Sequence, residues 1–205
     1  MKKQKYIDDL NEIKDIMNRS SKFISLSGLS GVFAGVFALL GAYFAYRMVY
    51  MNQDYIGYER AVATNDNLTI LLIIALITLS LSIGVGIFLS TRKAKKNNQK
   101  IWDLQTKRLL INLLIPLITG GIFCLILLFN GYVGIIAPLT LIFYGLALVN
   151  ASKYTLKEVR SLGLAEIILG LIATYFIGYG LLFWSVGFGL LHIIYGIIMK
   201  TRYGS

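Results

Sequence analysis

The chain has one histidine, one cysteine and two prolines among its 205 residues, and only 10 acidic residues against 20 basic ones. A single cysteine cannot form an internal disulfide, and one cysteine with one histidine supplies too few ligands for a protein-only zinc or haem site. No Ser/His/Asp set, aspartate-rich phosphate motif or phosphate-binding loop accompanies the histidine. These shortages predict that the protein is not an enzyme and that it holds no metal or cofactor.

What the chain has in abundance is apolar sequence. Hydrophobic residues make up 57% of it and its mean hydropathy is +0.70, whereas soluble domains are about 45–50% apolar. Apolar runs of about 18 residues or more can cross a hydrocarbon core of about 30 Å. We predict an all-α fold, a bundle of six transmembrane helices built of helical hairpins. The predicted spans are 23–50, 68–90, 109–129, 133–149, 160–177 and 181–199, forming a domain at 23–199 that is preceded by residues 1–22 and followed by a tail at 200–205.

The excess positive charge is placed on one side of this predicted topology. Basic residues fill segments 2–22, 92–108, 153–160 and 200–202, and only Arg47 and Arg60 fall on the other side. The positive-inside rule then places both termini in the cytoplasm. The opposite boundary is rich in tyrosine, which is typical of an interfacial belt. Attraction to anionic lipids at the cytoplasmic face accounts for the basic segments, and nucleic-acid binding is not expected because no basic stretch alternates with aromatic residues.

The N-terminal segment 5–18 predicts an amphipathic helix ahead of the spans. Its apolar residues recur at helical spacing, which gives one stripe on a helix surface. The helix either lies on the inner membrane surface or docks a cytosolic protein partner or a second copy of the chain. The stripe consists of Tyr6, Leu10, Ile13 and Met17.

The first span carries small residues every four positions, at Ser27, Gly31 and Gly35. This spacing lets helix backbones approach closely inside a membrane, where no hydrophobic effect drives helices together. It predicts a central packing helix. The pattern fits packing within one chain and formation of a homo-oligomer equally well.

The second half of the chain contains a weak internal repeat. The stretch "FNGY" (129–132) matches "FIGY" (176–179), and "LTLIFYG" (139–145) matches "LLHIIYG" (190–196). Spans three and four therefore resemble spans five and six, as two copies of one helical hairpin in the same orientation. Inverted repeats with broken helices, which indicate secondary transporters, are not seen in this sequence.

Three stretches, "NRSSKFISLSGLSGV" (18–32), "FYGLALVNASKYT" (143–155) and "GFGLLHIIYGIIM" (187–199), resemble a family of small six-helix bacterial inner-membrane proteins without an assigned activity. This resemblance implies residence in the inner (cytoplasmic) membrane and brings no catalytic residues with it. The glycine-spaced hairpins are also similar, more loosely, to short-repeat membrane proteins linked to acid resistance.

A carboxylic acid and the only histidine are predicted to meet inside the membrane. Glu166, in "GLAEIILG" (163–170), and His192 are equally far along the chain from Tyr179, the centre of the predicted turn between spans five and six. A tight antiparallel hairpin would therefore bring them to the same depth, with Tyr195 nearby. Both lie on faces of small residues, which pack against helices rather than lipid. These neighbours are Gly163 and Gly170 beside Glu166, and Gly189 and Gly196 beside His192.

The pair has two interpretations from sequence. It could exchange protons, as a relay, a pH sensor or a polar anchor for a ligand, or it could be a satisfied hydrogen bond that fixes the hairpin. We therefore expect a non-enzymatic membrane protein that acts as a sensor, regulator or assembly partner. The alternative is a proton-coupled or small-solute carrier or channel, formed by the bundle or by its oligomer.

Overall fold

The computed structural model describes residues 27–50, 65–96 and 101–203, of which 92% are helical and none is in a strand. This agrees with the predicted all-α fold. Several helices contain a change of helix type. The helices are α1 (Gly28–Ala45, continued by a π-helical turn at Tyr46–Tyr50), α2 (Asn65–Lys96), α3 (Leu104–Phe129), α4 (Ile136–Ala151, continued by a 3-10 turn at Ser152–Tyr154), α5 (Lys157–Tyr175) and α6.

Helix α6 consists of three consecutive segments after a 3-10 turn at Ile177–Tyr179. An α-helical segment (Gly180–Trp184) leads into a π-helical segment (Ser185–Leu191), which leads into a second α-helical segment (His192–Tyr203). The helix thus runs on into the predicted tail at 200–205. We call Ser185–Leu191 the π segment.

Within the described ranges, five helices are long and apolar enough to cross a membrane, namely α1, α2, α3, α4 and α6. This supports the predicted membrane character of the chain. The remaining predicted span, 160–177, lies in α5. That helix begins with Lys157, Glu158 and Arg160 and contains Glu166, so it is less apolar than the others. Its crossing of the membrane stays a prediction.

The helices pack in a definite order around α6. Helix α2 packs on α1, α1 packs along α6, α6 contacts α4 and α5, and α3 packs on α4. The most extensive contact joins α4 to α5, which are consecutive in the chain. Glycines lie at the contacts between α1 and α6 and between α4 and α5, and such small residues permit close approach of the helix backbones.

Contacts between helix ends define the two ends of the bundle. The start of α1 at Gly28 touches Lys200 of α6, and the side chain of Asn150 on α4 donates to the backbone oxygen of Asn112 on α3. An ion pair between Arg202 of α6 and Glu158 of α5 joins these two helices at the same end. We call this the basic end. At the other end, which we call the tyrosine end, lie the exposed side chains of Tyr43, Tyr46, Tyr132, Tyr175 and Tyr179.

Two of the sequence predictions fall outside the described residues. These are the amphipathic helix at 5–18, with the rest of segment 1–22, and the first residues of the span at 23–50. Both stay predictions.

At the basic end, Glu158 of α5 fastens the last turn of α6. Its carboxylate accepts hydrogen bonds from the Arg202 guanidinium at 2.6 Å and from the Tyr203 hydroxyl at 3.0 Å. Partial burial alone would raise the pKa of Glu158, but hydrogen bonds from its own backbone N–H, Arg202 and Tyr203 outweigh it and hold the pKa below its usual range.

Because the pKa of Glu158 is lowered, the contribution of its carboxylate to the stability of the fold depends on pH in a known direction. The stabilisation is fully present above the ordinary glutamate pKa of about 4.3 and is lost as the pH falls through the lower folded-state value. We expect Glu158→Gln to unfold at a lower temperature than the wild type at neutral pH, by a small amount typical of a surface pair, and the difference to vanish in acid. Thermal unfolding in detergent, measured against pH, checks this. A difference that is constant with pH would contradict it.

Candidate functional site

Glu166 on α5 is fully buried, with 0% of its surface exposed. It projects from α5 toward the π segment of α6, where Gly187 makes room for it. A Cβ atom at position 187 would lie 2.5 Å from Oε2 of Glu166 and 2.5 Å from Leu141 of α4. A side chain at 187 would therefore have to displace the carboxyl group of Glu166 and the tip of Leu141, and the site is assembled by α4, α5 and α6 together.

The carboxyl group of Glu166 is poorly satisfied. Among the described residues, neither of its oxygens has a hydrogen-bond partner. The nearest basic atom is Nδ1 of His192, 3.4 Å from Oε1. The structure thus brings Glu166 and His192 together, at the distance of an ion pair rather than of a good hydrogen bond. A buried carboxyl in this condition is costly to the fold.

The hydrogen bonds of His192 go elsewhere, and they define its tautomer. Nδ1 lies 3.1 Å from the carbonyl oxygen of Gly187, and because a carbonyl only accepts, Nδ1 carries a hydrogen. Nε2 lies 2.7 Å from the hydroxyl of Tyr144 on α4. In a neutral imidazole Nε2 is then the acceptor, so the Tyr144 hydroxyl donates to it.

Tyr144 is the site residue that the sequence predictions missed. Its ring packs against the rings of Phe188 and His192, with centroids 4.9 Å and 5.3 Å away. A signal for it was present in the internal repeat, where Tyr144 of "LTLIFYG" occupies the place of Tyr195 in "LLHIIYG". The repeat alignment therefore pointed to a second tyrosine at an equivalent position.

Tyr195 was predicted to lie near the pair, and the hydroxyl that contacts His192 is that of Tyr144. Tyr195 and Tyr144 both pack against a cluster of buried apolar side chains. The cluster, which we call the basal cluster, consists of Leu148, Leu156, Val159, Leu162 and Met199.

The π segment is the local feature that shapes the site. It supplies Gly187, whose carbonyl accepts from His192, and Phe188, whose ring stacks on the imidazole at 5.8 Å. A π-helical turn is an uncommon interruption of an α-helix and is frequent at functional sites. His192 follows the π segment directly.

The predicted packing glycines lie at close helix contacts around the site. On α1, a Cβ at Gly31 or Gly35 would press on Gly196 or Gly189 of α6, at 3.1 Å from Cα and 2.5 Å from O, respectively. On α5, a Cβ at Gly163 would lie 2.7 Å from the carbonyl oxygen of Gly145. Of the other small residues that were predicted, Gly170 faces Pro138 and Ile142 of α4, Gly196 faces Val32, Gly189 faces Leu39, and Ser27 is buried directly before α1.

A cavity of about 690 Å³ opens at the tyrosine end between α1, the α4 start and α6. Its rim includes Tyr43 and Tyr179, and its lining reaches Val186 and Leu190 of the π segment. Neither Gly187 nor Glu166 belongs to its lining. The lining is mainly apolar, and no cluster of three potential metal ligands occurs anywhere in the described parts of the chain.

The site contains an acid, a base and a donor hydroxyl in one buried set, and this arrangement can hold or move a proton. Comparison with known proteins finds no match to this chain among protein families, curated proteins or solved structures.

Proposed function

We propose that this is a non-enzymatic integral protein of the bacterial inner membrane, a sensor, regulator or assembly partner, whose Glu166–His192 pair takes up and releases a proton. The observation that carries the proposal is the fully buried Glu166 carboxyl with no hydrogen-bond partner among the described residues. A residue that only held helices together would be expected to satisfy both oxygens. Ionisable residues inside a membrane are functional by default because they are expensive to keep.

Uptake or release of a proton by the Glu166–His192 pair would have a structural consequence. If Glu166 is neutral, its only cost is an unsatisfied polar group, but an ionised Glu166 requires a charged His192 beside it. Gly187 and Tyr144 adjust with His192, because both contact its ring nitrogens. The protonation state therefore acts on the π segment and on α4 together, and a partner bound to the bundle could detect it.

The first test is thermal unfolding of the purified protein against pH, with the wild type beside Glu166→Gln. We expect the unfolding temperature of the wild type to change between about pH 5 and 8, the range in which histidine sites titrate, and this change to be absent from the variant. Two superimposable pH profiles would contradict the proposal, since Glu166 would then be a packing residue that does not titrate.

The proposal includes a topology with six spans and both termini in the cytoplasm. It is supported by the basic residues gathered at one end of the bundle, which favours that end as the cytoplasmic one. Anionic lipids at that face, a cytosolic partner docked on residues 5–18, and a homo-oligomer are the partners we propose. A reporter fused after residue 60 should be periplasmic and one fused after residue 98 cytoplasmic. The reverse result would overturn the orientation.

A second candidate function is a proton-coupled or small-solute carrier. The cavity at the tyrosine end favours it, because the lining of that cavity includes Val186 and Leu190 of the π segment, the segment that also supplies Gly187 to the site. Proton flux into liposomes that contain the protein would distinguish the two. A flux that disappears in Glu166→Gln favours the carrier, whereas an absent flux with a pH-dependent unfolding temperature favours the sensor. Loss of partner recruitment after deletion of residues 1–18 would also support the sensor.

A further inference from the structure

Helices α1 and α6 pack closely over most of their length but separate at the tyrosine end. Gly35 of α1 meets Gly189 of α6, and Leu39 of α1 fills the space that Gly189 leaves. Helix α1 contacts the π segment and the second α-helical segment of α6, whereas among the described residues no comparable contact joins it to the first segment, Gly180–Trp184. The cavity of about 690 Å³ lies where the two helices separate.

The inner walls of this cavity are suited to a hydrocarbon chain. None of the described residues that line it is charged. The hydroxyl of Ser185, which belongs to the lining, donates to the backbone oxygen of Leu181 at 2.7 Å. Water would find few polar partners there, and an empty cavity would lose the van der Waals contacts of its lining.

The cavity is open to the surroundings of the bundle. Leu182 and Leu190 of α6 line it and are 57% and 48% exposed. Because α1 and α6 are both long and apolar enough to cross a membrane, a chain of a bilayer lipid can enter between them. An apolar cavity of about 150 Å³ admits one benzene molecule, so on the same scale 690 Å³ has room for about 25 carbon atoms, more than one acyl chain of a common phospholipid.

The rim of the cavity carries polar groups that can bind a headgroup. Tyr43 of α1 and Tyr179 of the turn between α5 and α6 lie there, and both side chains are exposed. Arg47 directly follows another lining residue, Tyr46, and is also exposed. A guanidinium has five N–H donors in a geometry that matches phosphate, so it can bind a phosphate and keep a second contact. The rim is therefore suited to the phosphate of a phospholipid.

We infer that the cavity between α1 and α6 binds one phospholipid molecule. An acyl chain lies against Leu39 and Leu190, and the phosphate lies at the rim beside Tyr43 and Arg47. The lipid acts as a wedge that holds the tyrosine ends of α1 and α6 apart. This inference goes beyond the proposed function and does not depend on whether Glu166 titrates.

The bound chain would contact the segment that shapes the proton site. Val186 and Leu190 belong to the π segment, which also supplies Gly187 to that site. The lipid would also fill the space that a small-solute carrier needs. Occupancy of the cavity by a lipid therefore favours the sensor over the carrier.

The test is native mass spectrometry of the delipidated full chain in detergent, titrated with phosphatidylglycerol. We expect saturable binding of one lipid per chain. Leu182→Trp combined with Leu190→Trp narrows the cavity and should weaken this binding by about tenfold or more, because part of the buried chain is excluded. The matched control is Leu146→Trp with Leu164→Trp, which changes two exposed leucines of α4 and α5 outside the lining and should bind as the wild type does.

The phosphate contact has its own variant. Arg47→Gln leaves the cavity walls unchanged and should weaken the binding of phosphatidylglycerol by about tenfold, the effect of losing a charge-assisted hydrogen bond. It should not change the binding of diacylglycerol with the same chains, which has no phosphate. Equal weakening for both lipids, or for neither, would overturn the placement of the phosphate.

Three results would overturn the site itself. Unsaturable binding of several lipids, alike in every variant, would show only lipid at the outer surface of the bundle. Saturable binding that persists in the Leu182→Trp, Leu190→Trp variant would place the lipid elsewhere. A dimer that this double variant abolishes and that added lipid does not displace would show that a second copy of the chain fills the cavity. None of these results bears on the titration of Glu166.

Discussion

Gly163→Leu is expected to lower the free energy of unfolding by about 3 kcal/mol, the upper part of the range for overpacking a closed core. The first atom of the new side chain would lie 2.7 Å from the carbonyl oxygen of Gly145 and 2.9 Å from Cβ of Leu148. Both atoms belong to α4, the helix against which α5 packs most extensively. Backbone cannot move aside as a side-chain tip can, so α4 and α5 must separate close to Glu166.

Denaturant or thermal unfolding in detergent micelles measures this loss. Gly121→Leu on α3 is the matched control, because nothing lies within 4 Å of a Cβ atom there. That variant should be neutral or slightly more stable, since glycine is a poor helix former. Equal losses in both variants would mean that the stability of the bundle does not depend on close contact between α4 and α5.

Glu166→Met is expected to raise the free energy of unfolding by about 1–2 kcal/mol. Methionine has a similar length without the charge or the polar oxygens, and a buried group without hydrogen-bond partners costs about 1–3 kcal/mol. His192 keeps its own hydrogen bonds in the variant, because they go to Gly187 and Tyr144. A gain in stability together with a loss of the pH response would show that Glu166 is retained at a cost to the fold.

Glu158→Met makes the same chemical change on the same helix and serves as the control. Its carboxylate is paired with Arg202 and Tyr203, so this variant should lose stability at neutral pH. If Glu166→Met lost stability as Glu158→Met does, the buried carboxyl would be a satisfied packing group, and the proposed function would lose its main support.

Much of the helix arrangement could be predicted because the thickness of a bilayer fixes the length of an apolar run. The helix ends were less accessible to this reasoning. Helix α3 begins at Leu104, ahead of the predicted start at 109, since Asp103 caps it by accepting from the backbone N–H of Thr106 at 2.7 Å. A hydropathy criterion does not detect a polar first turn as part of the helix. The packing of α1 along α6 also could not be predicted from the sequence, because these two helices lie at opposite ends of the described chain and no local pattern relates them.

The candidate site was predictable where it depended on one hairpin. Glu166 and His192 are related by their equal distance from Tyr179, and the structure brings them together. Tyr144 comes from α4, 48 residues before His192, and no local pattern relates the two. Its ring reaches His192 where α4, α5 and α6 pack together. Such a contact depends on the packing of three helices.

The π segment also restricts how the chain can vary in length. Helix α6 is held at both ends, by Gly180 next to Ala137 and by Lys200 against Gly28, so neither end can slide to absorb a missing residue. A π-helical turn holds about one residue more than an α-helical turn, so a deletion between 185 and 191 can be absorbed only by converting the π segment to an α-helix. The wide turn that places the carbonyl oxygen of Gly187 3.1 Å from Nδ1 of His192 would then be lost. The length of the π segment is therefore as much a part of the site as Gly187 and Gly189, whose missing side chains leave room for Glu166 and Leu39.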